Sequence, residues 1–335
     1  MGAVTRALLA LALAAAAGMA QAGKLPKLVL AGPYAGVSFP LMHMVDSGAL
    51  ADLADRVEFV AWRDPDQLRV LALDGKADIV AMPSTVAANL YNRGSKLALL
   101  NVASWGTLWM VSRDAGLKTL ADFKGKEVAM PFRADMPDIV FGVLAERQGL
   151  DVRKDFRLRY VASPLDAMQL LLTRRVDHVL LSEPAVSMAL RKSRSFPLSA
   201  VAPDIHRSVD LQQEWGRLFK REARIPQAGI AALGKAKDDA ALTARVLAAY
   251  AASEKWCAGH ADACGALVAK YASVLSAEAV ADAVRSAPGT AVTAQSARPE
   301  LEAFYRVLLG KQPALLGGKL PDAAFYGGAA PPAQK

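Results

Sequence analysis

Cysteine is nearly missing from this chain: Cys257 and Cys264 are the only two in 335 residues. That excludes a disulfide-stapled small scaffold and a cysteine-rich metal cluster. Histidine is nearly as sparse. His43, His178, His206 and His260 stand apart from one another, no G-x-S-x-G elbow occurs, and the two cysteines lack redox-motif spacing. Lys124-Gly125-Lys126 lacks the upstream glycine and the following hydroxyl of a phosphate-binding loop. No catalytic constellation therefore stands out, although side chains distant in sequence can still assemble a site in space. His178, inside an apolar run, reads as a satisfied core histidine.

Charge of one sign is not concentrated either. Lysines and arginines are scattered, with clusters only at 191–194 and 220–224, which reads as a solvated surface and not a nucleic-acid site. The apolar run Ala7 to Ala17 is shorter than the roughly 20 residues a bilayer span needs. Arg6 precedes it and Ala20-Gln21-Ala22 follows, so it reads as an export signal over residues 1–22, cleaved near Gly23. No cysteine follows the cleavage site to take a lipid anchor. The expected product is soluble and periplasmic.

What is present is a composition of 53% hydrophobic and 21% charged residues, that of a globular protein with a sizeable core and room for two domains. The segment Thr119 to Glu146 organises the rest. Glu127 to Met130 is a short apolar strand candidate, and Ile139, Val140, Val143 and Leu144 recover a helical period. Asp135 is placed as N-cap, Pro137 lies in the first turn and Gly149 just past the end. The loop Pro131 to Met136 then joins the carboxyl end of a strand to the amino end of a helix, where open α/β sheets bind ligands.

The same grammar recurs along the chain. Leu28 to Ala31, Val57 to Ala61 and Asp78 to Met82 read as strands, each followed by a cap and a helix: Ser38, Asp64-Pro65-Asp66-Gln67 and Pro83-Ser84-Thr85. Leu97 to Ala103 and Thr107 to Ser112 are two more strand candidates. After Glu127 to Met130 come a strand at Phe156 to Val161, a helix opened by Ser163-Pro164-Leu165-Asp166, and Asp177 to Pro184 as strand and turn. Strands alternating with helices give two successive βαβ sets and so two similar lobes, each a mostly parallel sheet flanked by helices. Lobe 1 is expected over 23–113 and 222–326, lobe 2 over 114–221. Asp238 to Arg285 reads as helical, with Leu242, Val246, Leu247 and Tyr250 as a core stripe, and 327–335 as a disordered tail. In an exported protein Cys257 and Cys264 read as a local disulfide across a helix-to-helix turn. The competing reading, a metal held by Cys257, His260 and Cys264, finds no fourth ligand nearby.

Three stretches carry a resemblance: Lys118-Thr119-Leu120-Ala121-Asp122-Phe123-Lys124-Gly125-Lys126-Glu127-Val128-Ala129, Gly75-Lys76-Ala77-Asp78-Ile79-Val80, and Val176-Asp177-His178-Val179-Leu180-Leu181-Ser182-Glu183-Pro184. Over roughly Lys27 to Leu309 the chain resembles the ABC-transporter substrate-binding proteins of the nitrate, sulfonate and thiamine-precursor (NitT/TauT) type. The resemblance implies a type II periplasmic-binding-protein fold, a hinge crossed twice and a cleft that closes over a small molecule. Implied partners are that solute, a sulfonate, carboxylate, nitrate-like anion or small heterocycle, and a membrane permease. No cofactor, resident metal or nucleic acid is expected, and the protein is expected to be a monomer. A pyrimidine-directed enzyme of the same fold and a ligand-sensing module for a membrane partner are the competing readings.

Binding between lobes needs groups from both. Tyr34, Ser38, Phe39, Ser84, Thr85 and Trp105 are the candidates from lobe 1, and the three hydroxyl residues have capping as their alternative role. Phe132, Arg133, Asp135, Met136 and Glu183 are those from lobe 2. Arg133 offers fork-like pairing to a carboxylate, sulfonate or phosphate, or an ion pair with Asp135 or Asp138. Glu183 could receive a ligand donor or hold its own turn. Aromatic walls at Tyr34, Phe39, Trp105 and Phe132 suit a flat, partly apolar ligand at least as well as a small anion.

Overall fold

The structure, a computed structural model, describes residues 24–201, 205–287 and 289–327. The expected export signal and residues 328–335 lie outside them. Gly327, counted above with the tail, is instead held in lobe 1: its N–H donates to the Leu99 carbonyl at 2.7 Å.

The elements that frame the site begin with strand β1 (Leu28–Pro33), helix α1 (Phe39–Asp46), β2 (Val57–Trp62), α2 (Pro65–Leu73), β3 (Ile79–Pro83), α3 (Ser84–Asn92), β4 (Leu97–Leu99) and β5 (Asn101–Val102). They continue with β6 (Leu108–Ser112), β7 (Glu127–Pro131), α4 (Met136–Arg147), β8 (Arg157–Val161), α5 (Pro164–Leu172), β9 (His178–Ser182), α6 (Ala185–Arg194), β10 (His206–Asp210) and α7 (Leu211–Phe219). Last come β11 (Ala228–Leu233), α8 (Ala240–Gly259), α9 (Ala261–Tyr271), α10 (Ala277–Ser286), β12 (Val292–Thr293) and α11 (Arg298–Lys311).

Two five-stranded sheets share one plan, β2-β1-β3-β11-β4 and β8-β7-β9-β6-β10. In each, three strands are parallel and the fourth position runs against them. That fourth strand is the first one laid down after the chain crosses: β6 in lobe 2 and β11 in lobe 1. β6 is thus a correction to the expected boundary at 113, for Leu108–Ser112 pairs antiparallel with β9 in the second sheet. Its apolar pattern suits either sheet, so periodicity does not reveal which lobe it joins. β10 is a strand that apolar period does not mark. The stretch 196–224 has no long apolar strand, as its composition implies, but the short polar His206–Asp210 forms the lobe 2 edge against β6, with Val209 alone buried.

The two crossings lie side by side. The Gln227 N–H donates to the Ser104 carbonyl at 2.9 Å, Ile225 N–H to that of Trp105 at 2.9 Å, and Ser104 N–H to that of Ala228 at 3.0 Å. The Gln227 side chain accepts from Thr107 N–H at 3.1 Å. Gly106, between them, takes φ +102, and a Cβ there would strike Gln212.

The helical stretch expected over 238–285 is three helices, broken at His260 and after Tyr271. Cys257 and Cys264 are joined in a disulfide across the α8–α9 turn. The carboxyl-terminal helices do not belong to lobe 1 alone. α10 meets lobe 2 through Arg191 and Asp282, and α11 through Phe304 on Trp215 (centroids 5.3 Å apart) and Lys311 on Glu146 (3.0 Å).

Candidate functional site

A cavity of about 890 Å³ lies between the lobes, walled by both and by α8. Its floor is made by the loops that leave the carboxyl ends of parallel strands, the position that strand–loop–helix reasoning singles out. The loop after β7 is the most constrained. Phe132 and Ala134 take φ of +58° and +59°, a region that side chains with a Cβ rarely adopt. Phe132 N–H donates to Val161 and Asp135 N–H to Phe132, which holds the turn. The outcome is an aromatic ring at the cavity wall and a carboxylate immediately beyond it.

Seven candidates share this wall: Tyr34, Phe39, Trp105, Phe132, Asp135, Met136 and Glu183. The other four, Ser38, Ser84, Thr85 and Arg133, do not line it. The Ser38 and Thr85 hydroxyls are buried without a hydrogen-bond partner and cap nothing. Ser84 donates to the Pro226 carbonyl at 2.5 Å, which ties α3 to the returning crossing. Arg133 is exposed, with its guanidinium over the Tyr160 ring at 5.1 Å and no ion pair to Asp135 or Asp138.

Sequence reasoning missed Trp62, Trp109, Arg207 and Glu254, all on the wall. Arg207 comes from β10, the strand that polar composition conceals. Its guanidinium lies over Trp109 (5.6 Å) and binds Glu183 at 2.5 Å. Glu183, 5% exposed, also accepts from the Ser187 N–H at 3.1 Å, so it caps α6 and pairs with Arg207 at once. Trp105 packs under Arg224 (4.4 Å) and donates its indole N–H to the Thr290 carbonyl at 2.9 Å.

The cavity carries six carboxylates, Asp64, Asp135, Asp166, Glu183, Asp210 and Glu254, against two arginines, Arg63 and Arg207. Most of these acids sit at helix amino ends. Asp64 accepts from Asp66 and Gln67 N–H, and Asp210 from Gln212 and Gln213 N–H. Asp135 accepts from Met136 N–H at 2.8 Å. Burial pushes the carboxyls of Asp135, Asp210 and Glu254 up, against the opposing effect of the amides each accepts from.

Two lobes of one plan, two crossings lying side by side and a walled cavity between the lobes make up a two-lobed α/β fold with an interlobe cleft. Residues 51–211 match the family described as ABC transporter, phosphonate, periplasmic substrate-binding protein. Over that stretch, a little under half of the chain, the sequence is similar to the periplasmic substrate-binding proteins of ABC transporters. A search of curated proteins finds no significant match. Among solved structures, an ABC transporter protein from Parabacteroides distasonis superposes with a TM-score of 0.72 at 21% identity, covering 92% of this chain and 100% of that one. The aliphatic sulphonate binding protein SsuA of Escherichia coli gives 0.65 at 17% identity (88% and 97%). The nitrate-binding protein NrtA of Synechocystis gives 0.61 at 15% identity (77% and 69%). No helix among the described residues is long and apolar enough to cross a membrane.

Proposed function

We propose that this protein is a soluble periplasmic receptor that captures a small molecule in the interlobe cleft, acts without turnover as a monomer, and delivers its cargo to a membrane permease. The observation that carries the reading is the cavity of about 890 Å³ walled from both lobes beside a paired hinge. Such a site is complete only when the cleft is shut, which couples occupancy to lobe position and gives a permease something to read. The volume lies within the usual range for small-molecule sites and far exceeds that of nitrate. Aromatic side chains from both lobes, Tyr34 and Trp105 on one side and Trp109 and Phe132 on the other, suit a flat organic solute.

Native mass spectrometry of the protein isolated from the periplasm of its source, followed by denaturation, tests this. One small molecule released in stoichiometric amount supports the receptor role. A protein that converts its solute instead of retaining it sinks that role.

A further inference from the structure

We propose that the cleft is built for a flat solute that donates hydrogen bonds, an amine-, amidine- or N–H-bearing ring compound, whose donor end is received by Asp135 at the start of α4. This rests on the reading of the cavity as a solute site and goes beyond it by naming the chemistry.

Asp135 is the deciding group. It is 8% exposed, it lines the cavity, and its side chain has one hydrogen bond, from its own neighbour Met136 N–H to Oδ1. Oδ2 accepts from no donor among the described residues. Among the described residues no lysine or arginine pairs with it; the countercharge acting on it is Arg69 of α2, itself bound to Asp66 at 3.0 Å. A carboxylate taken out of water this far needs a donor or a cation. The cavity is the direction from which one can come.

Most of the features that would seat an oxyanion are already occupied, the uncapped amino end of α1 and Arg63 being the exceptions. An anion favours free amide N–H groups at helix amino ends and unpaired arginines. Here the amino ends of α2, α4, α6 and α7 are filled by Asp64, Asp135, Glu183 and Asp210. Arg207 is taken by Glu183. Arg63 has no carboxylate partner, but it is exposed at the rim. A sulfonate or phosphonate entering this cavity would meet the chain's own acids first, whereas a cationic or N–H-bearing ring would find Asp135 in front and aromatic faces around it.

The test pairs probes of similar shape and opposite charge, benzamidine and benzenesulfonate, with nitrate and methylphosphonate added, and reads thermal shift and calorimetric affinity. Benzamidine is expected to raise the melting temperature and the three anions to leave it unchanged. Asp135→Asn is expected to weaken benzamidine by about tenfold or more, the loss of one charge-assisted hydrogen bond. Asparagine caps helices as well as aspartate does, so the variant should fold, and its ligand-free melting temperature checks that it does. Stabilisation by the anions and not by benzamidine overturns the inference while the receptor role stands. Benzamidine binding that survives Asp135→Asn overturns the assignment to this residue. If neither charge class binds and no solute is released from the purified protein, both readings fall.

Discussion

Asp135 shows how one side chain can serve folding badly and binding well. Its raised carboxyl pKa means that the folded state holds its proton more tightly than the unfolded chain does. Stability of the empty protein is then expected to fall as pH rises from the ordinary aspartate range through the raised folded value, and to stay lower above it. Asp135→Asn removes that charge and keeps the cap. A gain of about 1 kcal/mol in the ligand-free protein at neutral pH is expected, measured by denaturant titration at two pH values. Glu183 is the opposite case. Arg207→Ala would strand a carboxylate that is 5% exposed, and a loss of about 2 kcal/mol is expected by the same titration. A cap signal made Asp135, and with it Met136, legible in the sequence, because an N-cap acid at a strand-to-helix turn has few other places to be; Glu183 was legible from the Glu183-Pro184 turn that carries the resemblance. Arg207 was not legible: it sits on an edge strand whose only buried residue is Val209, so neither apolar period nor motif marks it. For Ser38 and Thr85 the cap pattern is present and the caps are not, since their hydroxyls turn into protein where no N–H waits.

Among elements, the parallel cores of both lobes could be read from strand–cap–helix repeats, while the reversed fourth strands could not. β6 and β11 look like any apolar strand, and only pairing tells which sheet accepts them. β11 is held by a close approach that sequence alone does not announce. A Cβ on Gly229 would lie 1.8 Å from the Asn101 carbonyl oxygen, and that oxygen is backbone and cannot swing aside. Gly229→Ala is therefore expected to cost at least about 2 kcal/mol, visible as an earlier urea midpoint with an unchanged slope. The side chain of Asn101 reinforces the same spot by accepting from the Ile230 N–H at 2.9 Å.

For the molecule as a whole, the hinge and the cleft should respond differently to a solute. The ribbon formed by Ser104, Trp105, Ile225 and Gln227 carries backbone hydrogen bonds that bending does not have to break. Hydrogen exchange is expected to show these amides protected with and without ligand. The loop at Phe132–Ala134, strained and set at the cavity wall, should gain protection only when the solute binds. Uniform protection of both regions on binding would point to general stiffening instead of closure. The clasps made by α10 and α11 on lobe 2 limit how far the cleft can open, because Arg191 with Asp282 and Phe304 with Trp215 have to part or travel together.

The adjacency of the two crossings has a consequence for inheritance and for engineering. Lobe 2 enters after Ser104 and leaves before Ala228, two residues already joined by a hydrogen bond of 3.0 Å. Its ends therefore meet at one seam, so an exchange of the intervening gene segment needs only one pair of joints, provided that the incoming segment also offers partners to α10 and α11. A single recombination event at that seam would leave the first lobe's sheet and its return strand as they were, and would test the fit of the new lobe where α10 and α11 rest on it.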